Sequence, residues 1–148
     1  WSRVKISFFS YDASLPRSFL SRYGFCHRGY ENHYKSTNKK VDRENILSIV
    51  GDIEIVVEAF DVAEIKAMAI EELLTSGNKI LVSASGMAGL GSGNEIITRK
   101  VRDNFYLIGD NYSDYEEYSG IMSTRVMLCA AHQANVVLRL IVGEENER

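Results

Sequence analysis

Cysteine is scarce in this chain. Cys26 and Cys129 are the only two, too few and too far apart for a disulfide framework. Paired Cys-x-x-Cys motifs are missing, so no zinc site is expected. No run of about 18 apolar residues occurs, which speaks against a membrane span. The opening Trp-Ser-Arg-Val-Lys lacks the long apolar core of a secretory signal. Neither sign of charge dominates: the net charge is −3 and the pI about 5.6, and nothing global points to nucleic acid. No internal repeat is visible. These absences favour a cytoplasmic protein with free thiols, having neither nucleic acid nor a membrane as partner.

What is present is 148 residues at 45% hydrophobic and 25% charged, enough for one domain with a real core. The average conceals a split. Residues 1–41 carry eight Lys/Arg against Asp12 and Glu31, a net of +6, so the remainder carries −9. That first stretch also holds nine of the fifteen aromatics and, after Leu20, almost no aliphatic residues. Rings without a hydrophobic period do not build a core alone. We therefore divide the chain into an atypical basic and aromatic segment, 1–41, expected to lack regular structure, and an α/β domain, 42–148.

Within the second part the periods are clear. Asp42 to Val50 reads as a short helix with Asp42 as N-cap. Residues 53–58 form a nearly continuous apolar run, suited to a parallel strand buried on both faces. Val62, Ile65, Met68, Ala69 and Leu73 then recur at helical spacing, with Glu64, Glu71 and Glu72 opposite, predicting a helix over 62–75 stopped by Ser76-Gly77-Asn78. A second strand is expected over 79–84, which completes a βαβ unit and so a parallel pair. Two alternating runs, 95–101 and 104–109, predict an antiparallel hairpin turning at Arg102-Asp103. Met122, Val126, Cys129, Val136, Val137 and Leu140 trace one face of a long last helix, closed by Gly143.

Several residue groups invite chemistry. Gly86, Gly89, Gly91 and Gly93 suggest a phosphate loop. A Rossmann fingerprint, however, needs its glycines to open a helix, whereas these lead into strand-like sequence, so a close-packed or flexible loop is the better reading. The same missing fingerprint argues against a nicotinamide-binding Rossmann fragment. His132, beside Gln133 and Asn135 on a packed helix, reads as a hydrogen-bonded structural residue, and Cys129 on the apolar stripe as core. Cys26 and His27 are adjacent, which says nothing of orientation. Asp61, at the junction of strand and helix, is in isolation most often an N-cap. Yet ligands of open α/β sheets bind beyond the carboxyl ends of strands, and Asp61 stands there with Glu58 three residues back. A hard cation such as Mg²⁺, bridging to phosphate oxygens, suits that position.

From about Val41 to Gly143 the chain resembles the ubiquitin-like-activating superfamily that includes ThiF, MoeB and HesA, and most of all the ThiF-type sulfur-carrier adenylyltransferases of thiamine biosynthesis. The resemblance lies in Ile55-Val56-Val57-Glu58-Ala59-Phe60-Asp61, in Ala63-Glu64-x-Lys66, in Val82 to Gly89, in Thr98-Arg99-Lys100, in Asn104 to Asp110 and in Ala130 to Asn135. It implies a Rossmann-like, doubly wound parallel sheet with a hairpin extension and a long C-terminal helix, acting as a homodimer. It also implies ATP and Mg²⁺ as cofactors, and adenylation of the C-terminal carboxylate of a small ubiquitin-like sulfur-carrier protein. Ala59, Phe60 and Asp61 match the ATP and metal edge of that family, with Asp61 as the Mg²⁺ ligand and capping as a possible second role. The glycine turn, ribose acid, Asn-x-x-Arg pair and Lys of the family's nucleotide half have no counterpart in residues 1–41. An incomplete enzyme is therefore expected, the alternative being a non-catalytic module that docks a carrier or dimerises.

Overall fold

The computed structural model describes residues 39–114, 116–118 and 120–143. The expectation for residues 1–41 falls almost wholly outside that range. Val41, within it, is packed into the core, so the folded unit starts at least one residue before the division drawn at 41/42.

The elements run α1 (Ile46–Val50), β1 (Ile55–Val57), α2 (Ala63–Thr75), β2 (Ile80–Ala84), β3 (Ile97–Arg102), β4 (Phe105–Gly109) and α3 (Ser123–Val142), with a 3-10 turn at Gly93–Glu95 before β3. Among the described residues four strands make one sheet, in the order β1-β2-β4-β3. β1 runs parallel to β2 with Ile55 opposite Ile80, and β2 runs parallel to β4 with Leu81 opposite Phe105. Only β3 is antiparallel, pairing with β4 as a hairpin on the outer edge. The class is thus mixed α/β with a mostly parallel sheet and a C-terminal helix.

Alternation along the strands builds a core on each face. Ile55, Val57, Val82, Ala84, Tyr106 and Ile108 point to one face and meet Cys129, Val136 and Val137 of α3. Val56, Leu81 and Phe105 point to the other and meet Val41, Ile46, Val50, Ala69 and Leu73 of the α1–α2 side. Central strands read as continuous apolar runs because both faces are covered. Full burial of each such aliphatic side chain contributes about 1.5–3 kcal/mol.

Several boundaries differ from the sequence expectation: the strand expected over 53–58 is confined to Ile55–Val57, and the one expected from 95 starts at Ile97, after the 3-10 turn that takes up Glu95. α1 begins at Ile46 rather than Asp42, because residues 43–45 form a turn whose amides go to Asp42: its carboxylate accepts from Glu44 (3.1 Å) and Asn45 (2.9 Å). Asp42 does cap, but it caps the turn before the helix. The hairpin turns at Asp103-Asn104 and not at Arg102-Asp103, because a register shift between Lys100 and Arg102 extends β3 by one residue. Neither turn residue has positive φ, so the bulge supplies the twist that a mirror-image turn would otherwise give.

α3 is long and apolar enough, by length and composition alone, to cross a membrane, although the sequence reading found no such run. Here it forms a layer on the sheet. Its buried stripe is Arg125, Cys129, Gln133, Val136 and Val137. The opposite side leaves Met127, Leu128, Leu138, Ile141 and Val142 exposed. Gly143 closes it in the left-handed conformation, at φ 77°, as its place in the sequence suggests.

Candidate functional site at the carboxyl edge of the sheet

Three chain segments leave the carboxyl ends of the parallel strands together: Glu58 to Asp61 after β1, Ser85 to Gly93 after β2, and Asp110 onward after β4. Their arrangements differ sharply.

The β2 and β4 ends are sealed against each other. The Asp110 amide donates to the Gly86 carbonyl at 2.9 Å, and Gly89 donates to Gly120 at the same distance. A Cβ on Gly109, at φ 133°, would fall on the Ser85 carbonyl oxygen, and one on Gly86 would strike Asp110. These glycines allow two backbones to touch, so of the two loop readings the close-packed one holds.

Beneath this crossing lies an ion pair the sequence reading missed. Asp110 and Arg125 are both buried, and Nη2 of Arg125 donates to Asp110 Oδ2. Nη1 reaches the Ser92 carbonyl at 2.9 Å and lies 3.6 Å from Glu95. Asp110 also accepts from the Tyr112 and Ser113 amides at 3.0 and 2.9 Å. Burial pushes its carboxyl upward, but those amides, the Ser113 hydroxyl and Arg125 outweigh it and hold the group below its ordinary value. The Tyr112 hydroxyl donates to Glu95 (2.9 Å), which raises its pKa, with a small further push from desolvation. Fifteen residues separate Asp110 from Arg125, and no local pattern announces the pair.

The β1 end is different. Glu58 was expected to stand as a second carboxylate beside Asp61, but it is 1% exposed and fully engaged. Lys66 Nζ binds both its oxygens, at 2.9 and 2.7 Å, and also the Ala84 carbonyl at 2.9 Å. The Ser83 hydroxyl donates to Oε2, and the Phe60 amide to Oε1 at 2.5 Å. Gln133 of α3 reaches the Glu58 carbonyl at 3.2 Å. Glu58 is therefore a hub of the fold and no free ligand.

Asp61 is exposed, one residue ahead of the helix N-cap, which is Val62. Val62 has no side chain that can cap α2, and among the described residues no amide of the first turn donates to the Asp61 carboxylate, so the capping role for Asp61 is corrected. Among the described residues it has no hydrogen-bond or ion-pair partner. Ala59 is also exposed, while Phe60 packs its ring against the α1–α2 core.

The other candidates fall as read. Cys129 is 1% exposed, and burial pushes its thiol up to about 11, so it stays protonated at neutral pH. His132 shares a 3.1 Å hydrogen bond with Thr98 of β3, a tie between helix and hairpin. Cys26 and His27 lie outside the described residues.

Among the described residues no group of three or more His, Cys, Asp or Glu could hold a metal ion unaided. Mg²⁺ needs less than that from a protein, since it commonly takes one or two carboxylates with substrate phosphates and water completing the octahedron. The free carboxylate of Asp61 suits that mode. No protein-family model, curated protein or solved structure matches this chain.

Proposed function

We propose that this chain is part of an ATP-dependent adenylyltransferase of the ThiF/MoeB/HesA kind, acting on the C-terminal carboxylate of a small ubiquitin-like sulfur-carrier protein. The observation that carries the reading is Asp61, an exposed carboxylate without a partner among the described residues, at the carboxyl edge of a parallel sheet and within a segment that resembles the metal edge of that family. Asp61 is the residue that would hold Mg²⁺. Bound there with phosphates, the ion would neutralise charge developing on them during transfer. The chain's own contribution is to present that carboxylate on a rigid strand–helix junction and to keep Glu58 out of competition by pairing it with Lys66.

A Rossmann-like, doubly wound sheet belongs to the same proposal. All three residues of β1 are buried, yet among the described residues β1 pairs only with β2. A strand buried on both faces suits the interior of a larger sheet, with further strands beyond β1 supplying the nucleotide donors. The test joins the 148 residues to the nucleotide half of a complete enzyme and measures carrier-dependent ATP–pyrophosphate exchange. Exchange should appear in the joined protein, be absent from the 148 residues alone, and fall by about 10²-fold or more in Asp61→Asn. A folded joined protein without exchange would refute the proposal.

A second reading, a non-catalytic module that docks a carrier or pairs with its own copy, draws on the bare side of α3 and on exposed Ile97 and Val101 of β3. Sedimentation of the 148 residues with and without carrier, taken together with exchange in the joined protein, separates the two readings. A carrier complex together with persistent inactivity of the joined protein would favour the second.

A further inference from the structure

We infer that Glu58 is a positioning residue for Asp61, acting through the amide of Phe60; the inference rests on the reading of Asp61 as the metal ligand. A glutamate 1% exposed at the end of an apolar strand is a costly choice. Its charge is matched by Lys66 and its second oxygen by the Ser83 hydroxyl. Neither contact explains why a carboxylate is there, because buried ion pairs can commonly be replaced by apolar residues of like volume without loss of stability. What a hydrocarbon cannot do is accept the Phe60 N–H, which Glu58 Oε1 receives at 2.5 Å.

That bond and the Phe60 ring act from opposite ends of one residue. The amide is tied back to Glu58, and the ring is set in the α1–α2 core. The backbone of Glu58 is held in turn, its amide by the Val82 carbonyl at 2.9 Å and its carbonyl by Gln133 at 3.2 Å. Asp61 follows directly, with Val62 extended behind it at φ −89° and ψ 119°. A residue with no partner among the described residues is thus displayed from a turn fixed on both sides, as a metal ligand must be if its geometry is to be set before the ion arrives.

The test uses Mn²⁺ as a paramagnetic stand-in for Mg²⁺, with ATP supplying the phosphates that share the ion, on the joined protein carrying the nucleotide half and ¹⁵N-labelled in these 148 residues, reading amide broadening site by site. Wild type should broaden chiefly over residues 59–62, and Asp61→Asn should abolish that. Two multiple variants then separate positioning from bulk stability. In Glu58→Gln/Lys66→Met the charges are gone but an acceptor for Phe60 remains, and local broadening should persist. In Glu58→Leu/Lys66→Met/Ser83→Ala the acceptor is lost, and apparent Mn²⁺ affinity at 59–62 should fall by about 10-fold or more, the usual loss when a ligand's supporting partner is removed. Melting temperatures measured alongside show whether the difference is local. Wild-type broadening in the folded triple variant would overturn the role of Glu58 while leaving Asp61 as ligand. Unchanged broadening in Asp61→Asn would remove the metal reading and the positioning role together. Should the triple variant fail to fold, hydrogen exchange of the wild-type Phe60 amide decides: protection supports the tie, and exchange at the rate of a free turn amide overturns it.

Discussion

Replacing Asp110 by alanine leaves the Arg125 guanidinium buried and without its carboxylate. Arg125 is 3% exposed and Asp110 6%, and among the described residues Nε of Arg125 has no hydrogen-bond partner, so the neutral Ser92 carbonyl on Nη1 is the one hydrogen bond left to the cation. Glu95 lies 3.6 Å away on the exposed side and screens it only weakly. Removing one member of a buried pair typically costs about 3–5 kcal/mol. The amides of Tyr112 and Ser113, whose bonds to Asp110 are only partly buried, lose their acceptor too and add about 1 kcal/mol. Against a domain stability of about 5–15 kcal/mol, a loss near 4 is severe. It should lower the melting temperature by roughly 15–30 °C for about 100 folded residues. Urea denaturation followed by circular dichroism measures it directly. The double variant Asp110→Leu/Arg125→Met, which removes both charges, should recover most of the loss, because the penalty lies in the orphaned charge and not in the missing attraction. A loss in Asp110→Ala below about 1 kcal/mol would show that the pair behaves like an exposed one and would refute the argument. The same pair predicts a pH dependence. Asp110 has a lower pKa folded than unfolded, so on acidification the unfolded chain takes up its proton first. The stabilisation is complete above the ordinary carboxylate value, about 4, and drains away as pH falls below it. The stability gap between wild type and Asp110→Asn should narrow over that same range.

Asp61→Asn should leave the melting temperature nearly unchanged, within about 0.5 kcal/mol, since an exposed side chain that caps nothing holds nothing in the fold; a larger loss would restore the capping role. Gly109→Ala should destabilise by at least about 2 kcal/mol, because φ is 133° and the new Cβ meets the Ser85 carbonyl, and a wild-type urea midpoint would show that the crossing of the two loops can relax. In a chain carrying Cys26→Ser, Cys129 should react with a thiol reagent only as fast as the protein opens, since its pKa near 11 and 1% exposure leave almost no accessible thiolate; rapid labelling in native buffer would contradict its place in the core.

Much of the fold could be read from local period alone. The run through Ile55-Val56-Val57, the helical spacing of Met68, Ala69 and Leu73, and the second strand gave a βαβ unit, and the parallel pairing of β1 with β2 follows from the length of that crossover. The stripe through Cys129, Val136 and Val137 marked the buried face of α3. These features repeat every two or every 3.6 residues and so are written in neighbours along the chain. The strand order was not. That β4 lies beside β2 while β3 turns outward depends on which open edge the returning chain reaches, and the single-residue shift of the hairpin turn depends on a bulge between Lys100 and Arg102. The site divides in the same way. Asp61 could be placed at a strand end from sequence, because that position is local. Whether its neighbour Glu58 was a free ligand or a buried hub depended on Lys66, Ser83 and Gln133, residues eight, twenty-five and seventy-five positions away. Asp110 and Arg125 likewise reveal their charges in the sequence but not their pairing. A charge is a property of one residue, whereas its burial and its partner are properties of the packed chain, and only the tertiary structure determines them.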